Sequence, residues 1–460
     1  MLDKELLLKV LKKAISSGGN YAEIFVEYKK PLSIQLEDRK IEKVITGVDY
    51  GLGIRLIYNG RTAYAYSNAL SEESLLRVAS EVSRAASDKV TDSLIDLRTK
   101  TPSVSFDIKL FPESVPIEKK ISIVRKADTI AKGYDHRIRQ VSIRYGDFIQ
   151  KVQIAATDGT IAEDERVQTL MVIQVIAADN GVIQTGYESI GGFIGFELFN
   201  EINIDELSLK TAKRAIMMLT ARRSPGGRMP VVISSEAGGT MIHEAIGHGL
   251  EADLAQQGLS VYSRKMGQQI ASPLITVIDD PTLHKKRGSF RFDDEGTPSR
   301  RNVLVEKGIL KSYMYDKLTA IKDGVESTGN GRRESYQYRP IPRMTNTLIV
   351  PSETSPMEVI NSVEYGLLVR KMGGGQVNTI TGDFVFEVQE GYLINKGKVE
   401  EPVRGATLAG NGPGVLKSID MVGSDLGFAI GTCGKDSQGV PVSDAMPTVR
   451  IPEMVVGGKV

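Results

Sequence analysis

Ten residues near the middle of the chain constrain it most: Met241-Ile242-His243-Glu244-Ala245-Ile246-Gly247-His248-Gly249-Leu250. The chain has four histidines in all, and two of them fall here, with a glutamate directly after the first. Two imidazoles and a carboxylate this close are the parts of a zinc hydrolase: metal ligands plus a base for an activated water. The spacing is not that of the common H-E-x-x-H, because His243 and His248 are five residues apart. Five residues of regular α-helix leave two side chains roughly 140° apart around the axis, so such a helix cannot aim both rings at one ion. The segment nevertheless reads as helical. Ser234 or Ser235 can cap it, Glu236 lies in its first turn, and apolar residues follow the strand-like Pro230-Val231-Val232-Ile233. The expectation is a π-bulge, or a helix that loosens at Gly247 and brings His248 back towards His243.

Three protein ligands are usual in a catalytic zinc site, so a third must come from elsewhere. The single cysteine, Cys433, sits in Gly431-Thr432-Cys433-Gly434-Lys435-Asp436, where glycines let backbone approach an ion closely. A thiolate is a good zinc ligand, and a His, His, Cys set leaves the fourth position for water. The plainer alternatives are an H-E pair met by chance in a helix and a cysteine that is a small buried hydrophobe.

Composition narrows the field. A net charge of +1 over 460 residues gives no basic field for nucleic acid or an anionic membrane. No apolar run approaches about 18 residues, so no transmembrane span is expected. Met1-Leu2-Asp3-Lys4-Glu5-Leu6 is not a signal peptide, one cysteine excludes an intramolecular disulfide, and the expected compartment is the cytoplasm.

A longer series of motifs resembles one family. It begins with Gly227-Arg228-Met229-Pro230 and His243-Glu244-Ala245-Ile246-Gly247-His248-Gly249-Leu250-Glu251-Ala252-Asp253. It continues through Phe292-Asp293-Asp294-Glu295-Gly296-Thr297, Pro340-Ile341-Pro342-Arg343-Met344-Thr345-Asn346-Thr347, Gly373-Gly374-Gly375-Gln376-Val377 and Gly382-Asp383-Phe384. Pro402-Val403-Arg404-Gly405-Ala406-Thr407, Gly410-Asn411-Gly412-Pro413 and Gly431-Thr432-Cys433-Gly434-Lys435 close it. In this order the motifs resemble the TldD/PmbA family, also called modulators of DNA gyrase, and in particular its TldD branch of zinc peptidases; the PmbA (TldE) relatives lack the metal motif. The N-terminal half resembles the family in layout more than in motif. The resemblance implies small or unfolded peptides as substrates, a narrow internal channel to the active site, and a heterodimer with a PmbA/TldE-type subunit, with a homodimer as the alternative.

The expected fold is α+β. Leu7, Val10, Leu11 and Ala14 mark a first helix, which Gly18-Gly19 ends. Alternating strands run from Tyr21 to Tyr66, with turns at Lys30-Pro31, Gly47, Gly51 and Asn59-Gly60, and Ser71 caps a helix reaching about Ala86. A connection runs from Asp88 to Pro116. The order then repeats: a helix from Glu118 to Lys132, strands from Ile138 to Phe196 with turns at Asp158-Gly159 and Asn180-Gly181, and a helix from Asp205 to Ala221. This predicts a duplicated α/β two-layer unit with antiparallel sheets, about 1–88 and 117–222, within an N-terminal domain 1–225. Ser224-Pro225-Gly226-Gly227 marks the boundary. A β-rich C-terminal domain, 226–460, then carries the metal helix, and it must close on itself if His248 and Cys433 share an ion.

Other candidates have weaker signals. Gly374 and Gly375 could contact substrate; the run lacks the lysine of a phosphate-binding loop. Asp294, in its acidic cluster, could stand near the site or in a solvated turn. Glu251 could accept from a ligand histidine or be an exposed helix glutamate. Arg343 and Arg404 could hold substrate backbone or a carboxylate, or form structural ion pairs. His136 and His284 read as surface residues. The resulting reading is a zinc peptidase in which His243, His248 and Cys433 hold Zn2+ and Glu244 is the general base. Its rival is a non-catalytic regulator, gyrase-modulator-like, with a structural metal.

Overall fold

The computed structural model describes residues 1–86 and 95–458. The first half contains α1 (Lys4–Ala14), β1 (Tyr21–Glu37), β2 (Lys40–Thr46), β3 (Asp49–Tyr58), β4 (Arg61–Ser67) and α2 (Glu72–Ser83). There follow β5 (Arg98–Thr99), α3 (Ile117–Gly133), β6 (Ile138–Ala156), β7 (Thr160–Asp179), β8 (Val182–Gly192), α4 (Leu198–Glu201) and α5 (Ile204–Thr220). The Asp3 and Ser71 side chains cap α1 and α2 by accepting from Leu6 and Ser74 N–H groups, so those helices start where the sequence signals them. Helix, meander and helix occur twice. The two runs nevertheless share one eight-stranded sheet, because β1 and β6 pair antiparallel from Glu23↔Ala156 to Glu37↔Ser142.

Side-chain alternation decides what each face of this sheet meets. Ile24, Val26 and Ile54 pack under Leu7, Val10 and Leu11 of α1 and Leu75 and Val78 of α2. Further along the same face, Ile34, Leu36, Ile143 and Tyr145 pack with Val124 and Ala127 of α3 and Ala212 and Ala215 of α5. Burial of each large apolar side chain here contributes roughly 1.5–3 kcal/mol relative to exposure. The other face of β1 turns Glu23, Phe25 and Glu27 towards the second half of the chain. Arg55 Nη2 bonds Glu23 at 2.9 Å and also reaches Glu295, while Arg333 reaches Glu23. Arg166 Nη1 lies 2.7 Å from Asp294 Oδ1, and Tyr336 N–H donates to Glu27 at 2.7 Å.

Two expected turns are not turns. Pro31 lies inside β1, at the gap where its partner changes from β3 (last pair Lys29↔Asp49) to β2 (first pair Leu32↔Thr46). Gly51 lies inside β3, where a Cβ would stand 2.4 Å from the Tyr336 ring, so close packing and not a reversal asks for glycine there. The start of the connection placed at Asp88 lies outside the described residues.

In the second half, strands Gly227–Ile233, Tyr365–Val377, Asp383–Asn395, Thr407–Asn411 and Val449–Gly457 pair in a ring that closes on itself. A six-stranded sheet stands beside it and ends in the hairpin Gly427–Lys435 and Gln438–Met446. One core joins ring, sheet and the segment between them. Val231, Leu367, Phe386 and Met454 come from the ring, Val277, Leu304, Val442 and Cys433 from the sheet, and Met241, Ile242, Ala245, Ile246 and Leu250 from the histidine segment. The chain is thus α+β with a β-rich second half around a short helical insert. No helix among the described residues is long and apolar enough to cross a membrane.

Candidate metal centre

The histidine segment is not one helix from Ser234. Ser234 caps a single 3-10 turn, Ser235–Ala237, and Gly238 then adopts φ 72°, which breaks the run. Gly239 donates its N–H to Asp444 Oδ1 at 3.1 Å, so the backbone there is tied to a strand and not to a preceding turn. A short α turn, Thr240–Ile242, leads into a π turn, His243–Gly247, in which His248 N–H bonds the His243 carbonyl five residues back. A 3-10 turn, His248–Leu250, follows. The i→i+5 bond brings residue 248 round above residue 243, as the spacing demands. Gly247 itself has ordinary helical angles, φ −55° and ψ −57°. What it cannot carry is a side chain: a Cβ would lie 2.2 Å from Met344 Sδ.

The two imidazole centroids are 5.0 Å apart with the rings at 89°. Strand Gly427–Lys435 brings Cys433 Sγ to 3.5 Å from His248 Nε2, and ligand atoms of His243, His248 and Cys433 all lie within 4.8 Å of one another. Each ring has a carboxylate beside its Nδ1. Glu251 Oε2 is 3.1 Å from His248 Nδ1, and Asp444 Oδ2 is 3.6 Å from His243 Nδ1, an atom that has no hydrogen-bond partner. Glu251 is fully buried and is held by Lys435 Nζ at 3.1 Å, which also bonds Asp253 at 2.7 Å.

Burial would raise the Cys433 thiol, but the hydrogen bonds and charges of His243 and His248 outweigh it and bring the thiol down to about 5. The same contacts, with Glu251 beside His248 and Asp444 beside His243, raise both imidazoles against their own burial. Burial pushes Asp444 up to about 6, against the pull of His243. Burial alone would also raise Glu251, yet Lys435 and His248 bring it down to about 2. Two imidazole nitrogens and a thiolate converging on one point, with carboxylates behind the rings, fit a zinc ion in ligand type and number.

An open pocket of about 500 Å³ lies over these atoms, walled by Glu244, Leu254, Gln376, Val377, Thr379 and Lys435. Of the other sequence candidates, Glu251 reaches the site as described. Gly374 lines a separate pocket of about 360 Å³ with Thr240 and Ala429, and Gly375 is the next residue of the same strand. Arg343 does not face either pocket. It is fully buried, gives an N–H to the Cys433 carbonyl, and places Nε 3.9 Å from Glu251 Oε1, so it supports the strand that carries the thiol. Arg404 donates to the Ala221 carbonyl at 2.8 Å and Asp294 lies in the buried seam with Arg166, so neither is at the imidazoles. His136 and His284 are exposed. Asp444 and Lys435 were not among the candidates. Lys435 had a signal, since it shares a strand face with Cys433 two residues before it; Asp444, in a run of alternating strand residues, had none.

Comparison with known proteins shows the family. Residues 226–458 match the PmbA/TldA metallopeptidase C-terminal domain, residues 111–219 its central domain and residues 22–86 its domain 1. A metalloprotease TldD homolog from Haemophilus influenzae is 37% identical, covering 99% of this chain and 97% of that protein. A zinc metalloprotease TldD homolog from Saccharolobus solfataricus is 29% identical over 99% of this chain and 100% of its own length. The crystal structure of TldE from Thermococcus kodakarensis has the same fold, with a TM-score of 0.76 at 18% identity over 98% of this chain and 100% of that one. On these matches the chain belongs to the PmbA/TldD metallopeptidase family.

Proposed function

We propose that the chain is a zinc-dependent peptidase acting on small or unfolded peptides. The observation that carries this is the convergence of His243, His248 and Cys433, two distant segments of sequence, beside an open pocket that Glu244 also lines. When bound, the ion supplies Lewis acidity, lowering the pKa of a water towards about 7 and polarising a carbonyl. Glu244 takes a proton from the attacking water and gives it to the leaving amine. Glu251 holds the His248 ring in the tautomer that leaves Nε2 free for an ion, and Asp444 puts a carboxylate 3.6 Å behind His243 Nδ1 without bonding it. Lys435 and Arg343 hold Glu251 and the Cys433 strand in turn.

The substrate reading rests on a strand edge. Strand Tyr365–Val377 pairs with Gly227–Ile233 only as far as Val369, so its later residues leave that edge free of a strand among the described residues. Gly373 and Gly375 would crowd Glu387 and Phe386 with a side chain, but at Gly374 a Cβ meets nothing within 4 Å. Bare backbone beside the pocket suits an extended peptide that pairs through its main chain, with little demand on sequence. Folded proteins cannot present such a strand. A TldE-type subunit completes the enclosure, by analogy with the TldE fold, and a homodimer is the alternative assembly; the compartment is the cytoplasm. We also assign 1–225 and 226–460 as the two domains. Assay of the chain alone and with a TldE-type partner, on an unstructured peptide and a folded protein of similar length, tests this. Cleavage of the peptide, stronger with the partner, is expected. Rapid cleavage of the folded protein by the lone chain would contradict both the channel and the partner.

A further inference from the structure

We propose that Tyr262 is a positioning residue that keeps the histidine segment in its π register, and so sets where His248 points. The inference rests on the zinc reading of the site. In a regular α-helix the Ala245 carbonyl would take the N–H of Gly249, and His243 and His248 would be carried about 140° apart. In the π turn the His248 N–H goes to His243 instead. The Ala245 carbonyl receives the Tyr262 hydroxyl at 2.8 Å, a donor from outside the helix. The ring of the same residue lies against Gly249, where a Cβ would be 2.6 Å from Cδ2. Two residues earlier, the Ser260 hydroxyl donates to the Gly249 carbonyl at 2.6 Å. One three-residue segment therefore supplies donors to two carbonyls of the non-α turn and blocks the space beside the second. Tyr262 is almost fully buried, and a buried carbonyl without a donor is costly, so the hydroxyl favours the π register over its α competitor. Without it, Gly249 N–H is free to claim Ala245, the turn tightens, and His248 leaves the Cys433 thiol.

The neighbouring Tyr313 gives an internal control. It is also buried, and its hydroxyl donates at 2.6 Å to the Tyr262 carbonyl and not to one of the histidine segment. The experiment measures zinc affinity by chelator competition, and the absorption spectrum of the cobalt(II)-loaded protein, for wild type, Tyr262→Phe, Ser260→Ala and Tyr313→Phe. Wild-type cobalt protein should show thiolate-to-metal charge transfer. Tyr262→Phe should weaken zinc binding about tenfold or more and change the cobalt spectrum, Ser260→Ala should do the same to a smaller degree, and Tyr313→Phe should keep the wild-type spectrum and affinity. Wild-type affinity and spectrum in folded Tyr262→Phe would overturn the proposal. Should that variant not fold, an unchanged spectrum in Ser260→Ala overturns it instead. A wild-type protein with no thiolate-to-cobalt band would fail earlier, by removing the zinc reading itself.

Discussion

Gly247 separates what spacing can say from what packing decides. Two histidines five apart, with glycine just before the second, were enough to predict a departure from α-helical bonding, and the turn His243–Gly247 is π. The reason for glycine was not legible. Backbone strain was the natural expectation, yet its angles are ordinary and the constraint is Met344, a residue 97 positions further on whose sulfur fills the space of a Cβ. Gly247→Ala should therefore destabilise the protein by about 1–3 kcal/mol as an overpacked core does. Measured by denaturant unfolding, that cost should shrink in a Met344→Ala background; equal costs in both backgrounds would rule out the steric account. Arg343 carries the same lesson. Its motif left substrate contact and structural ion pair equally open, and only the fold reveals that its guanidinium is enclosed against the Cys433 carbonyl and Glu251.

Among elements, local signals located most helices and hairpins. Asp3 and Ser71 cap where expected, and the turns at Asn59-Gly60, Asp158-Gly159 and Asn180-Gly181 join successive strands. Partners distant in sequence left no such mark. Pro31 reads as a turn until β2 and β3 are seen to meet β1 on either side of it, and the two N-terminal runs read as separate units until β1 and β6 are seen to pair. Strand Tyr365–Val377 offers the most direct element-level prediction. Gly374→Val adds a branched side chain where nothing lies within 4 Å, so thermal stability and zinc content should stay at wild-type values. If an extended substrate lies along this edge, kcat/KM for an unstructured peptide should fall at least tenfold, mainly through KM. An unchanged KM would place the substrate elsewhere.

At the scale of the whole molecule, the two halves meet through buried charge beside a small apolar cluster of Phe25, Ile154, Phe292 and Tyr336. Arg55, fully enclosed, is shared by Glu23 of β1 and Glu295 of the second half, and Arg333 crosses the other way. Burial would lower the Arg55 guanidinium, but Glu23, Glu295 and Asp316 raise it, so it stays charged at any working pH. Arg55→Met leaves the buried Glu295 without its guanidinium and Glu23 with Arg333 alone, and should cost about 3–5 kcal/mol in denaturant unfolding; a loss under 1 kcal/mol would mean that the seam tolerates unpaired charge. The six-stranded sheet holds Cys433 against a turn 185 residues away, and the central claim is that this arrangement is a catalytic zinc site. The most direct test is zinc content and hydrolysis of an unstructured peptide, measured together on the assembled protein for wild type, Glu244→Gln and Cys433→Ser. The account predicts about one zinc per chain in wild type and in Glu244→Gln, with activity in the latter reduced by at least a hundredfold, and neither zinc nor activity in Cys433→Ser. Stoichiometric zinc in Cys433→Ser, or near wild-type hydrolysis by Glu244→Gln, would contradict it.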